Sequence, residues 1–264
     1  MPHQTLNHVR LNVVENGAGS ETLVLLHGLL FSQRMFDAQV EALGSRFRCV
    51  RMDFRGQGES EVTRSGYDLD TLAGDVVALI EQLDAGPVHL LGFSMGAMVA
   101  QRVALKRPEL LRSLVLMNTS AERERWSKRP RFALLNLAAR WIGLEKVAPK
   151  ILPLLFSDRF IEDPGCAAER GRWLEMVAAN DRIGATRAVR GVVSRRSILE
   201  DIGTIRLPTL IIAADSDHAT SPQKSKNMHR RIAGSKLVTI EDSGHMSTAE
   251  RPEAVNRALI DFYT

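Results

Sequence analysis

Unbroken apolar runs alternate with amphipathic stretches along most of this chain. Residues 8–14 alternate, with Val9, Leu11 and Val13 on one side, as in a half-buried strand. Asn16-Gly17-Ala18-Gly19-Ser20 marks a turn, and residues 22–26 are continuously apolar, the pattern of a strand covered on both faces. A helical segment over about 33–43 leads to a strand over 47–52. Residues 67–83 carry Leu72, Val76, Leu79, Ile80 and Leu83 at helical spacing. A short strand over 88–91, a helix over 97–105 and a strand over 110–117 follow. Strand–helix alternation of this kind predicts an α/β fold, a mostly parallel sheet with helices on both faces.

The rhythm changes at Asn118-Thr119-Ser120. From about 121 to 196 the pattern predicts helices alone, over 132–141, 147–156, 167–179 and 183–193. A strand over 207–214 restores the alternation. Ser221 and Pro222 open a helix as N-cap and first residue; a strand over 236–241 and a helix over 252–263 close the chain. The organisation expected is a first core part at 1–119, an all-helical cap or lid at 120–200, and a second core part at 201–264. All three tryptophans, Trp126, Trp141 and Trp173, fall in the insertion and read as packing residues, able together to line a cavity beneath it.

Composition narrows the class. A chain of 264 residues can bury a full core. No run of about 18 apolar residues predicts a membrane span, and Met1-Pro2-His3-Gln4-Thr5 lacks the layout of a secretory leader. Cys49 and Cys166 are far apart; Cys49 reads as a buried free thiol, and the cytoplasm is the compartment expected. The net charge of +4 is concentrated at 120–200, with sixteen Lys/Arg against ten Asp/Glu. Acids interleave there (Glu122-Arg123-Glu124-Arg125), which favours a solvated helical face and no nucleic-acid partner.

The chemistry gathers at predicted strand ends, where open α/β sheets form their ligand sites. Gly92-Phe93-Ser94-Met95-Gly96 lies between a strand and a helix. That context demands a sharp turn, with Ser94 in a strained backbone conformation at a helix N-terminus and small residues at 92, 96 and 97 allowing close approach. Asp215 and Asp217 end the strand at 207–214, and His245 follows the last strand. Serine needs a base within hydrogen-bond reach, histidine supplies it, and the histidine needs an acceptor to fix its tautomer.

With His27-Gly28, residues 53–60 and Ser243-Gly244-His245, these blocks make the chain resemble the α/β-hydrolase fold family over nearly its whole length. It is similar in particular to small capped serine esterases and lactonases of the 3-oxoadipate enol-lactonase-like group. The resemblance implies Ser94 as nucleophile, His245 as general base and then acid, and Asp217 rather than Asp215 as the residue orienting His245. Ala214 stands where the family pattern has glycine. Some relatives carry the acid after the strand ending here at Asn118, a neutral amide unable to fill that role. The backbone N–H groups of Leu29 and Met95 would form the oxyanion hole, with His27, Asp53 and Arg55 holding loops. The remaining histidines read as incidental. The implied activity is hydrolysis of a small-molecule ester or lactone without cofactor or metal, by a monomer or homodimer with no membrane attachment. A carbon–carbon bond hydrolase, a thioesterase or a slow-turnover ligand-binding or signalling protein would use the same residues. Cofactor-free perhydrolases share the Gly-Phe-Ser-Met-Gly box, but usually carry tryptophan where Leu29 stands. The pocket is expected among residues such as Phe132, Leu135, Leu155, Phe156 and Trp173.

Overall fold

Eight strands join in one sheet in the computed structural model, which describes residues 3–264. Met1 and Pro2, the start of the segment read as lacking a leader, lie outside the described residues. The strands are β1 (His3–Leu6), β2 (Val9–Asn16), β3 (Glu21–Leu26), β4 (Phe47–Met52), β5 (Val88–Phe93), β6 (Leu111–Met117), β7 (Thr209–Ala214) and β8 (Lys236–Ile240). Their order is β1-β2-β4-β3-β5-β6-β7-β8. β2 runs antiparallel to both neighbours and every other pair is parallel. β5 and β7 are buried at every position, which is why they read as unbroken apolar runs.

β1 is an element the hydrophobic pattern does not show. Only Leu6 of its four residues is buried. The hairpin to β2 closes through Asn7 and His8, both with positive φ (47° and 64°), the geometry whose twist suits a two-residue hairpin.

Helices α1 (Asp37–Leu43), α2 (Leu69–Leu83) and α3 (Met95–Lys106) fill the first core part; the segment predicted over 33–43 divides into a 3-10 turn (Gln33–Phe36) and α1, and the other two differ by a residue or two at their ends. The insertion is helical as expected: α4 (Arg129–Ile142), α5 (Leu144–Leu155), a short α6 (Asp158–Glu162), α7 (Ala167–Ala178) and α8 (Arg182–Val193). Helices α9 (Pro222–Arg231), α10 (Ser247–Glu250) and α11 (Pro252–Tyr263) complete the chain. Ser221 sits at the N-cap of α9, but its side chain makes no capping hydrogen bond, and Pro222 supplies the start.

Alternation along the strands divides the core in two. Val24 and Leu26 of β3 pack with Leu72 and Val76 of α2 and Val99 and Val103 of α3. Leu23 and Leu25 face the other way, toward Leu43 of α1 and Val255 and Leu259 of α11. The cap has little core of its own, a small cluster of Ala139, Leu144, Val147 and Ala185. It borrows the second layer instead, where Ala148, Phe156, Trp173 and Val177 join the α1–α11 cluster.

The tryptophan reading needs correction. Trp173 is buried edge-on to Phe31, with Nε1 donating to Glu169. Trp126 and Trp141 are 65% and 75% exposed. Trp141 shares an exposed apolar face of α4 with Leu134 and Leu137, and Trp126, in the turn before α4, has the Arg129 and Arg123 guanidiniums 4.0 and 6.0 Å from its ring centre.

The cap leaves and rejoins the sheet through one neck. Ile198 N–H donates to Ala121 O (2.8 Å), and Arg195 Nε donates to Glu122 O (2.9 Å). Cys49 is buried in β4, its thiol pushed up to about 11 by burial. Cys166 is half-buried and unpaired.

Candidate active site

Ser94 joins β5 to α3 at φ 50°, ψ −113°, in the left-handed half of backbone space. Its backbone is held by three contacts: Ser94 N–H donates to Met117 O (2.9 Å), while its carbonyl accepts from Met98 N–H (3.1 Å) and Thr119 Oγ1 (2.8 Å). The turn closes because residues 92 and 96 lack a side chain. A methyl on Gly92 would collide with the backbone of Ala97, and one on Gly96 with the carbonyl of Leu26 on β3. Ser94 occupies the N-cap of α3 without capping it, so the hydroxyl is free to meet another group.

That group is His245. Its Nε2 lies 2.9 Å from Ser94 Oγ, and its Nδ1 lies 2.8 Å from Asp217 Oδ2. Asp217 is buried and saturated with donors. Oδ1 accepts from Ala219 N–H and Thr220 N–H (2.8 and 2.7 Å); Oδ2 accepts from Thr220 Oγ1 (2.8 Å) and Asn118 Nδ2 (3.3 Å) as well as from His245. Burial alone would raise the carboxyl pKa, but the neighbouring His245 charge and the hydrogen bonds from His245 and Thr220 outweigh it and hold Asp217 below its ordinary value.

Asp215 does not reach the histidine. It accepts from the backbone N–H groups of Asp242 and Ser243 (3.0 and 3.2 Å) and ties the loop after β7 to the loop after β8. The histidine loop is also tied to the cap. Met246 N–H donates to Leu155 O (2.8 Å), and the Glu250 carboxylate accepts from Gly244 N–H (2.9 Å) and Ser157 Oγ (2.5 Å).

Leu29 and Met95 border the same cavity as Ser94 and His245. The turn carrying Leu29 is braced from below. His27 donates from Nδ1 to Gly28 O (2.7 Å), and its Nε2 accepts from Phe54 N–H (2.9 Å). Burial lowers the His27 pKa against the pull of Asp53, so the ring is neutral and serves as a bracket. Leu30, at φ 68°, donates its N–H to Gln57 Oε1 (2.7 Å). Asp53 accepts from Gln33 N–H, Asn12 Nδ2 and Glu59 N–H. Arg55 grips Asp75 through Nε and Nη2 (2.9 and 2.7 Å).

Sequence reasoning missed Asn118 and Ser247. Asn118 (φ 45°) donates to Asp217 and accepts from Ser247 Oγ (2.7 Å). Two strand ends meet there, and no local pattern announces it. Thr220 had a signal: three residues after Asp217, it closes an Asx-type turn.

A cavity of about 190 Å³ opens over Ser94 beneath the cap. Phe132, Leu135 and Leu155 line it, as expected. Phe156 and Trp173 do not. Phe156 follows α5 in extended conformation and turns into the core, stacking on Phe160, while Trp173 packs on Phe31. Among the described residues no cluster of His, Cys, Asp or Glu could hold a metal ion, and no helix is long and apolar enough to cross a membrane.

A family model described as "Alpha/beta hydrolase family" matches residues 23–258. BpoC of Mycobacterium tuberculosis, whose name describes a non-heme bromoperoxidase, is 30% identical over 97% of this chain and 98% of its own. Among solved structures, the enol-lactonase from Burkholderia xenovorans superposes with a TM-score of 0.92 at 25% identity, covering 99% of both chains. A thermophilic esterase from Thermogutta terrifontis gives 0.91 at 26%, covering 99% of this chain and 97% of its own.

Proposed function

This chain belongs to the alpha/beta hydrolase family and is a hydrolase; we propose that it cleaves carboxylic esters or lactones through a Ser94–His245–Asp217 triad and an acyl-enzyme intermediate. One observation carries the reading: His245 bridges a strained, uncapped serine hydroxyl and a buried carboxylate, one through each ring nitrogen. The enol-lactonase and esterase relatives support esters or lactones as the substrate class.

Ser94 Oγ attacks the acyl carbonyl as its proton passes to His245 Nε2. Asp217 remains ionised and holds Nδ1–H, so that Nε2 begins as the acceptor. The N–H groups of Leu29 and Met95 receive the developing oxyanion, each worth roughly 3 kcal/mol of barrier. The tetrahedral intermediate collapses when the alkoxide leaves with the proton on Nε2; in a lactone the released alcohol stays tethered to the acyl group. Water then gives a proton to Nε2 and attacks the ester carbonyl, and Ser94 recovers that proton as the acid departs. We assign residues 1–119 and 201–264 to the core that carries these groups and 120–200 to the cap that roofs them.

The test is hydrolysis of 4-nitrophenyl esters from acetate to decanoate by the wild type and Ser94→Ala, with fluorophosphonate labelling in parallel. Turnover and labelling that both disappear in Ser94→Ala are expected. Turnover that survives the substitution refutes the nucleophile assignment.

A further inference from the structure

On the serine-hydrolase reading, the wall of the cavity over Ser94 decides which substrates the site admits. The cavity wall is mostly apolar, from Leu135 on α4, Ile151 and Leu154 on α5 and Val189 and Val192 on α8, with Asn136 and Thr186 its neutral polar members away from Ser94. One arginine and no lysine line it among the described residues, and that arginine is already occupied. Arg195, its side chain 3% exposed, directs Nη1 and Nη2 at Glu124 Oε2 (3.3 Å each). It spends Nε on Glu122 O and a further Nη1 contact on Val192 O (2.8 Å). Glu124, 12% exposed at its side chain, lines the same cavity. The pair is electrically closed, so the wall offers an anion no unmatched positive charge.

We propose that this site takes uncharged acyl substrates and rejects those carrying a second carboxylate, and that Glu124 sets this selectivity by neutralising Arg195. A carboxylate in an aliphatic cavity must be paired, since burying it unpaired is strongly unfavourable. The neutral polar groups on the wall already direct donors elsewhere, Asn136 Nδ2 to Thr186 O, Thr186 Oγ1 to Arg182 O and Thr220 Oγ1 to Asp217 Oδ2, so a carboxylate could meet a permanent cation here only by displacing Glu124, leaving another buried anion beside it. Volume adds a size limit. An apolar cavity of about 150 Å³ takes benzene, so about 190 Å³ encloses roughly six to eight non-hydrogen atoms, a hexanoyl group at most. A lactone or ester of a dicarboxylic acid keeps a free carboxylate and falls on the wrong side of this filter.

The experiment compares 4-nitrophenyl hexanoate with mono-4-nitrophenyl adipate, equal in chain length and different by one terminal carboxylate. The wild type should show kcat/KM for the adipate ester at least about 30-fold lower; a smaller ratio overturns the proposal without any variant. Glu124→Gln frees the Arg195 charge and should narrow the ratio by about tenfold, and Glu124→Gln/Arg195→Met should widen it again. An unchanged ratio in a folded Glu124→Gln that still hydrolyses the hexanoate overturns the role of Glu124. If neither ester turns over and fluorophosphonate leaves Ser94 unlabelled, the hydrolase reading fails separately. Displacement of an apolar fluorescent probe by hexanoate ester but not by adipate ester then still reads the filter, and equal displacement overturns it.

Discussion

Replacing Asp217 by asparagine removes one charge and almost no volume. The carboxylate receives five hydrogen bonds, two at Oδ1 and three at Oδ2. An amide has one acceptor oxygen. Kept at the Oδ1 position, it still serves Ala219 and Thr220 N–H, but its NH2 then confronts His245 Nδ1. The imidazole must answer by moving its proton to Nε2, which points the N–H at Ser94 Oγ and removes the base. The charge is lost as well. A carboxylate and an imidazolium about 4 Å apart attract by about 4 kcal/mol at an effective dielectric of 20. That is about three decades of rate at 1.36 kcal/mol each. With the tautomer penalty added, kcat should fall by about 10³ to 10⁴ with little change in KM. Stability should respond too. The folded pKa of Asp217 lies below its ordinary 3.8, so its stabilisation is present above that value and lost as pH falls through the lower, folded one. Asp217→Asn should therefore show a flatter stability curve on the acid side. The assay is turnover of 4-nitrophenyl hexanoate at pH 7, with urea melts at pH 7 and on the acid side. A folded variant losing less than about tenfold in kcat, against the loss expected of a wrong tautomer, would refute the reasoning.

Two further outcomes follow from the same geometry. Asp75→Ala strands the Arg55 guanidinium, whose side chain is 8% exposed, and should cost about 3–5 kcal/mol in urea unfolding, whereas Arg55→Met/Asp75→Leu should recover most of it; equal losses in the two variants would deny the pair its role. Leu135→Trp narrows the cavity from the α4 side and should move the preferred acyl chain shorter by about two carbons, one methylene being worth about tenfold or more in selectivity; an unchanged chain-length profile would take Leu135 off the wall.

Much of the fold was legible because burial on both faces leaves a plain mark. β3, β5, β6 and β7 are near-continuous apolar runs, and their order of alternation with helices implied the parallel sheet. β1 escaped because an edge strand with one buried residue has no hydrophobic pattern, and its tight turn rests on Asn7 and His8 instead of glycine. At the candidate site, Ser94, the Asp215/Asp217 pair and His245 stood out because each follows a readable strand; the preference for Asp217 came from the family resemblance, and Asp217 is the one within reach of His245. Asn118 and Ser247, 129 residues apart, and Ser157 and Glu250, 93 apart, meet across separations that no local motif spans. The cap lining was only half readable. Periodicity separates one helix face from another, but does not say whether an apolar face meets a cavity or a packed core. Leu155 and Phe156 are neighbours, one on the cavity and one in the core.

The neck at Ala121 and Ile198 has a consequence for how such a chain can change over generations. The segment over residues 122–197 begins and ends beside one backbone hydrogen bond, so its termini already meet and a different segment could join the sheet through the same neck, provided it again covers the second core layer and holds the histidine loop as Phe156, Trp173 and Leu155 do. Ser94, Asp217 and His245 all lie outside the segment. The roof is thus joined covalently at a single point yet packed over a wide one, so its inner face can vary from one sequence to the next only where it lines the cavity and not where it supports the sheet and the His245 loop.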